Sequence, residues 1–210
     1  MELVSVNVGK IHQYDWGKGV RSAIFKKPVD KPLRLTKTGF DEDEQADLGN
    51  HGGEDKAVLI IPTENYAFFE VDKPWGFLGE TLSVAGIDEN KISIGDQFSI
   101  GKVRLEVTQP RSPCAKLGEH VGKKGFVKRY SSSGRVGIYC RVLGVGDLQT
   151  GMRVEHFPTR EKTVSIHALF LAQYCSKKTP EDLEKLATAL ALPSLSNAWR
   201  KKLTKLMTLK

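Results

Sequence analysis

The feature that most constrains this chain is a change of hydrophobic period at Phe157-Pro158-Thr159. Before it, apolar residues recur at every second position. In Lys102–Thr108, Val103, Leu105 and Val107 point one way and Arg104, Glu106 and Thr108 the other. Arg135–Val142 repeats the device with Val136, Ile138, Cys140 and Val142 on one face, and Leu3–Val8 sets Val4, Val6 and Val8 against Leu3, Ser5 and Asn7. Arg21–Lys26 and Leu33–Thr36 read as further short strands. Turn residues separate the runs: Gly39, Gly52-Gly53, Gly86, Gly95, Gly101 and Gly144-Val145-Gly146-Asp147. Strands at such intervals, without regular helical crossovers, predict a mainly β domain over residues 1–158, folded as a closed or nearly closed barrel. Two helices are expected to interrupt it, at Thr63–Val71 and Lys123–Tyr130.

After Pro158 the period is helical. Thr163–Ser176 is one candidate. Thr179 then stands as an N-cap, with Pro180 in the first helical position and Glu181 and Asp182 in the first turn. Leu183, Leu186, Ala187 and Leu190 follow at i, i+3, i+4 and i+7. A third helix begins near Ser196, with Trp199, Leu203 and Leu206 on one face. Residues 161–210 are therefore expected to form a small C-terminal three-helix domain whose elements bury their apolar faces mainly among themselves.

Composition narrows the class of protein. With 40% hydrophobic and 27% charged residues in 210, a disordered chain is not expected. The longest strongly apolar run, Ala57–Pro62, is far too short to span a bilayer, and the N-terminus has no basic-then-apolar signal pattern. A cytoplasmic protein with no membrane partner is the expectation. The net charge is +7, and +5 of it lies in residues 161–210. Its densest run, Arg200, Lys201, Lys202 and Lys205 beside Trp199, reads either as a solvated helix face or as a docking surface for an acidic partner or for nucleic acid. A nucleic-acid binder carries its basic stripe on the main fold, so nucleic acid is not an expected partner.

Several chemistries fall away on spacing. Cys114, Cys140 and Cys175 form no CxxC, which argues against a disulfide framework or a thiolate zinc site. His12, His51, His120, His156 and His167 contain no HxH or HExxH pair, so a zinc hydrolase is not expected. Gly118–Lys124 is one residue short of a P-loop and has Lys124 where Ser or Thr must hold magnesium. Gly17-Lys18-Gly19 lacks the third glycine of a dinucleotide fingerprint. The acidic run from Asp41 to Asp47 lacks the alternation of a calcium loop and reads as a solvated loop.

Two segments remain. In the first, polar residues from Ala46 to His51 lead through Gly52-Gly53 and Lys56 into an apolar strand. The glycines let backbone approach a ligand, and His51 and Lys56 can supply donors; a plain loop before a strand explains the segment equally well. In the second, Thr108-Gln109-Pro110-Arg111-Ser112-Pro113-Cys114 follows the clearest strand. Two prolines stiffen a turn that ends on a cysteine, and Arg111 and Lys116 bracket it with positive charge. Nearby cations favour thiolate, the form a nucleophile or a metal ligand requires. Cys140 shares an apolar strand face and Cys175 ends a helical turn, so both read as packing residues.

Taken together, these segments resemble the MOSC domain family, in its YiiM type. The resemblance rests on Ala46-Asp47-Leu48 with His51–Val58, on Gly79-Glu80 with Leu82, on Ile94-Gly95-Asp96, on Gln109–Cys114, and on Gly134–Gly137 with Arg141-Val142-Leu143. It covers nearly the whole chain, the helical tail included, and departs from the family pattern at Thr81, where an asparagine is usual. It implies a β-barrel that binds the molybdenum cofactor, with Cys114 as catalytic residue and protein ligand to molybdenum, and no pyridoxal phosphate. Lys26, Arg111, Lys116 and the Gly52 and Gly53 amides are the implied cofactor-phosphate contacts, with His51 and Lys56 beside them. The implied activity is reduction of N-hydroxylated compounds such as 6-hydroxylaminopurine, a detoxification of base analogues. Electrons would come from a separate flavoprotein. A rival of another class is a sulfur carrier, with Cys114 holding a persulfide for metal–sulfur cluster assembly.

Overall fold

A computed structural model describes residues 1–15, 19–47 and 52–208. Thirteen strands are present among them: β1 (Glu2–Val8), β2 (His12–Gln13), β3 (Arg21–Ser22), β4 (Lys27–Pro28), β5 (Leu33–Thr36), β6 (Gly39–Phe40), β7 (Val58–Pro62), β8 (Leu82–Ala85), β9 (Gln97–Ile100), β10 (Val103–Pro110), β11 (Ile138–Gly144), β12 (Gly146–Leu148) and β13 (Glu155–Phe157). The helices are α1 (Glu64–Phe68), α2 (Ala115–Val121), α3 (Phe126–Ser132), α4 (Ile166–Tyr174), α5 (Pro180–Ala191) and α6 (Asn197–Thr208), with a 3-10 turn at Glu54–Lys56.

The main layer is an eight-stranded sheet in the order β13-β9-β10-β11-β7-β8-β1-β4. All its pairings are antiparallel except β7 with β8. At its centre β7 is five consecutive buried residues, because both of its faces are covered and no position is left for a polar side chain. The closed barrel expected from the strand pattern is not seen: β13 and β4 are edges, and the architecture is mixed α/β with an open sheet. The sheet nonetheless curls. Before β13, the chain bonds back to β1 through a Glu2–Arg153 bridge, Leu3 N to Met152 O (2.9 Å) and Gly151 N to Leu3 O (2.8 Å).

Several elements differ from their sequence reading for local reasons. β1 carries a register shift between Leu3 and Ser5, so Leu3 and Val6 are both buried and simple alternation is broken. Ser5 and Asn7 are buried too, in a polar chain that runs from Ser5 Oγ to Asn7 Oδ1 (2.7 Å) and from Asn7 Nδ2 to Ser83 Oγ (3.1 Å). The run Arg21–Lys26 is strand only at Arg21–Ser22, and α2 is a helix additional to the two expected before Pro158. In β11, Ile138, Cys140 and Val142 do share the buried face.

The tail forms the expected three helices. Thr179 and Asp182 make a reciprocal capping box, and Ser165 Oγ accepts from Ala168 N (3.2 Å). Its apolar residues are continuous with the sheet's core: Ile166, Phe170, Leu186, Trp199 and Leu203 belong to the same buried cluster as Leu105 and Ile138. Backbone bonds also stitch it down, Ile94 N to Val164 O (3.1 Å), Ile166 N to Ile92 O (2.8 Å) and Ser196 N to Thr108 O (3.1 Å). No helix of the described residues is long and apolar enough to cross a membrane.

Candidate functional site

The site begins where β10 runs out. The first half of β10 alternates, while Thr108, Gln109 and Pro110 are all buried because the tail covers their second face. Ser196 donates to Gln109 Oε1 at 2.6 Å, and Thr108 Oγ1 to the carbonyls of Asp55 (2.7 Å) and Tyr139 (3.0 Å). The Pro-stiffened loop then leaves from a fixed point and delivers Arg111 and Cys114 to one pocket.

Arg111 is held at both ends. Its amide donates to Gly137 O (3.0 Å), and Gly137 N donates to Glu89 Oε1 (2.7 Å). Gly137 has φ +91°, and a Cβ there would lie 3.1 Å from Ile60 O, so the position requires glycine. Gly79, at φ +88°, lets the guanidinium approach: a Cβ would sit 3.4 Å from Arg111 Nη2 and 3.1 Å from Ile24. The side chain lies 5.9 Å from the Tyr130 ring centroid. Arg111 is only 6% exposed, yet its Nη1 has no hydrogen-bond partner among the described residues. Burial alone would weaken its hold on its proton; Tyr130, Tyr139 and Cys114 outweigh that, so it stays charged.

Cys114 is the N-cap of α2, in extended conformation and half-buried, and its side chain caps no helix amide. The sulfur is thus left to the pocket wall. The other two cysteines differ. Cys140 is fully buried, and desolvation, with Glu106 nearby, pushes its thiol well above the usual range. Cys175 was read as packing but is exposed, its Sγ 3.1 Å from Lys177 O.

The remaining sequence candidates fall in three groups. Lys26, Lys56 and Lys116 line the pocket with Arg111 and Cys114. Lys26 is buried in an ion pair with Asp43, which also accepts from Gly9 N (2.7 Å), so its charge is already balanced. Lys56 is half-buried and its pKa is lowered by desolvation against the pull of Asp55 and Asp47. Gly52 and Gly53 are not on the pocket wall; Gly53 (φ +91°) starts the 3-10 turn and accepts from Lys56 N (3.0 Å). His51 lies outside the described residues.

Sequence reasoning missed other parts of the wall. Ser22, Ala23, Asp43 and Gln45 belong to it, as does Tyr139, whose place on β11 opposite Cys140 was readable from alternation. Asp43 comes from the acidic run, which is clasped rather than merely solvated: Glu44 accepts from Ile11 N (2.8 Å) and Lys10 Nζ (3.1 Å). Thr81, where the family pattern has asparagine, also lines the pocket; its Oγ1 accepts from Leu59 N (2.9 Å) and sets the β7–β8 join. Below it, the buried Glu80 accepts on Oε1 from Tyr66, Gly76 N and Ser83, and desolvation holds its carboxyl above the usual range. The inner pocket offers about 750 Å³ of empty space, its mouth included. A second, more open chamber, of about 920 Å³ with the solvent at its mouth included, shares the Cys114 wall and is flanked by Ala198, Trp199 and Lys202 of α6. No group of three His, Cys, Asp or Glu that could hold a bare metal ion occurs among the described residues.

Comparison with known proteins follows the same lines. The MOSC domain model matches residues 47–155. Protein YiiM of Escherichia coli (strain K12) is 32% identical over 209 residues, covering 96% of this chain and 91% of that protein. The crystal structure of YiiM from Geobacillus stearothermophilus superposes with a TM-score of 0.78 at 27% identity, covering 97% of each chain. A protein of Gibberella moniliformis (strain M3125 / FGSC 7600) named as a reductase is 33% identical over 157 residues, 71% of this chain but only 28% of that longer protein.

Proposed function

The chain belongs to the MOSC domain family and is YiiM-like, and from that premise we propose that it is a molybdenum cofactor-dependent reductase of N-hydroxylated compounds, 6-hydroxylaminopurine among them. The observation that carries the reading is the buried Arg111 guanidinium, with Nη1 unpartnered, on the same pocket wall as the Cys114 sulfur. A buried cation with an unsatisfied N–H is costly, and an anionic cofactor phosphate is the kind of group that offsets it. A soft thiolate beside it suits molybdenum, and a metal carried by a pterin dithiolene needs few protein ligands. The residues present therefore fit the group.

When bound, molybdenum supplies two-electron removal of oxygen. The overall change is R–NHOH plus two electrons and two protons to R–NH2 plus water. Arg111, fixed by Gly137 and Gly79, holds the phosphate end. Cys114 holds the metal from the N-terminus of α2, and Lys116 and Lys56 add positive potential at the mouth. Lys26 serves chiefly to keep Asp43 and the 41–47 loop in place. The electrons come from a separate flavoprotein of the cytoplasm, for which the basic α6 face is the proposed contact.

The test is to purify the protein from a host competent for molybdenum cofactor synthesis. Near-stoichiometric molybdenum and pterin, with reduction of 6-hydroxylaminopurine by a reduced viologen, is expected. Cys114→Ser should abolish the reduction at equal pterin loading. Protein carrying sulfane sulfur on Cys114 and no pterin would overturn the reading in favour of a sulfur carrier.

A further inference from the structure

The outer chamber has walls that a cofactor alone does not explain. Cys114, Lys56, Lys116 and Tyr139 face both spaces, whereas Trp199 and Lys202 of α6 face only the outer one. Among the described residues its lysines are Lys56, Lys116 and Lys202 and its carboxylate is Asp47. Neither Lys116 nor Lys202 makes an ion pair among the described residues. Lys202 donates to the neutral Gln173 Oε1 (3.0 Å) and sits 5.1 Å over the Trp199 ring. Partial desolvation, and then Lys178, lowers its pKa, the mark of a cation lacking a counter-charge.

Two kinds of recognition therefore converge on the Cys114 sulfur. The half-buried Tyr139 presents aromatic surface suited to a planar heterocycle, while Trp199, buried beneath Lys202, only backs that edge of the wall. Lys116 and Lys202 present positive charge that an anion would relieve, with charge-assisted hydrogen bonds in return. A neutral purine uses only the first. We propose that the outer chamber is a substrate site for nucleoside 5′-phosphates, so that the enzyme acts on N-hydroxylated bases at the nucleotide level, with the base toward Cys114 and the phosphate toward Lys202. This rests on the reductase reading for the reaction but not for the binding.

The C-terminal helix is then part of the specificity machinery. That gives it a role beyond a basic docking face, and it accounts for the tail being bonded to β10 immediately before the Cys114 loop.

The experiment is calorimetric titration of the full chain with adenosine 5′-monophosphate, adenosine and inorganic phosphate, in the wild type, Lys202→Gln and Lys202→Arg. The monophosphate should bind at least about tenfold tighter than either adenosine or phosphate, the size of one charge-assisted contact. Lys202→Gln should lose about that factor for the monophosphate and leave adenosine unchanged, and Lys202→Arg should restore it. Lys202 is exposed on α6, so neither change threatens the fold. Equal binding of monophosphate and adenosine, phosphate binding as tight as the monophosphate, or indifference to Lys202→Gln would overturn the proposal. In the cofactor-loaded enzyme, kcat/KM for the N-hydroxylated monophosphate over its nucleoside should fall by the same factor in Lys202→Gln. Nucleotide binding as expected without any reduction would instead reject the reductase reading and leave the chamber standing.

Discussion

Glu89 is a buried group whose titration reaches the site through two hydrogen bonds, by way of Gly137. It is 4% exposed, accepts from Asn65 Nδ2 (3.0 Å) and Gly137 N (2.7 Å), and through Gly137 fixes the Arg111 backbone. Burial, only partly offset by those two donors and by Arg135, raises its pKa from 4.5 to about 7. The native carboxyl thus holds its proton more tightly than the unfolded one. The resulting stabilisation is complete below about 4.5 and is lost as pH rises through about 7. A gap of roughly 2.5 pH units corresponds to about 3 kcal/mol. Glu89→Gln removes the titration, and Asn65 can turn its amide to present oxygen to the new NH2 group. Urea unfolding of the cofactor-free protein at pH 5 and pH 8 measures the effect. The unfolded carboxyl is already largely ionised at pH 5, so the wild type should lose about 2.5 kcal/mol relative to Glu89→Gln across that interval. Glu80 shifts in the same direction but is common to both proteins and cancels in the difference. A difference independent of pH would refute the reasoning, because it would mean that Glu89 has the same proton affinity folded and unfolded.

Arg111→Met should leave the cofactor-free protein at least as stable in thermal unfolding, since a buried and incompletely partnered cation is replaced by apolar volume. Its pterin content after purification should nevertheless fall by about tenfold or more. Cys140→Ser should cost about 1–3 kcal/mol in urea unfolding, because a hydroxyl then sits on the closed apolar face of β11, with catalysis affected less than stability. Ser196→Ala removes the acceptor for Trp199 N (3.1 Å) and the donor to Gln109, and should cost about 1–2 kcal/mol by the same assay while loosening α6 from β10.

What was legible in the chain was whatever local chemistry decides. β10, β11 and Leu33–Thr36 follow from alternation, and the start of α5 from Thr179, Pro180 and Asp182. The alternation of β1 misled because it presumes one wet face. Ser5 and Asn7 are buried, with Asn7 bonded to Ser83, 76 residues further along the chain, and Ser83 in turn to Glu80; polar residues so placed look like surface in sequence. Closure of a barrel is likewise a property of edges. Glu2 and Arg153 meet in a single bridge, and nothing in either segment says whether a ladder will form there.

The site divides in the same way. Cys114 and Arg111 stood out because proline, charge and a lone thiol were adjacent in sequence, and both are on the pocket wall. The glycine pair stood out for the same reason and is not on that wall, since a positive φ also serves simply to start a 3-10 turn. Gly137, Gly79 and Glu89 act on Arg111 from 26, 32 and 22 residues away, as backbone supports whose effect is a bond or a clearance. Trp199 and Lys202 are further still. As members of an amphipathic helix they read as one buried and one solvated residue, and both descriptions are true. Only the docking of that helix, set by Ser196 on Gln109 and Thr108 and by Arg141 reaching Asp55 (2.7 Å) and Ser194 O (3.1 Å), turns their edge toward Cys114. A residue's role here is therefore decided by the interface between sheet and tail, and a change that shifts α6 should alter nucleotide binding in the outer chamber before it alters the proposed cofactor site around Arg111.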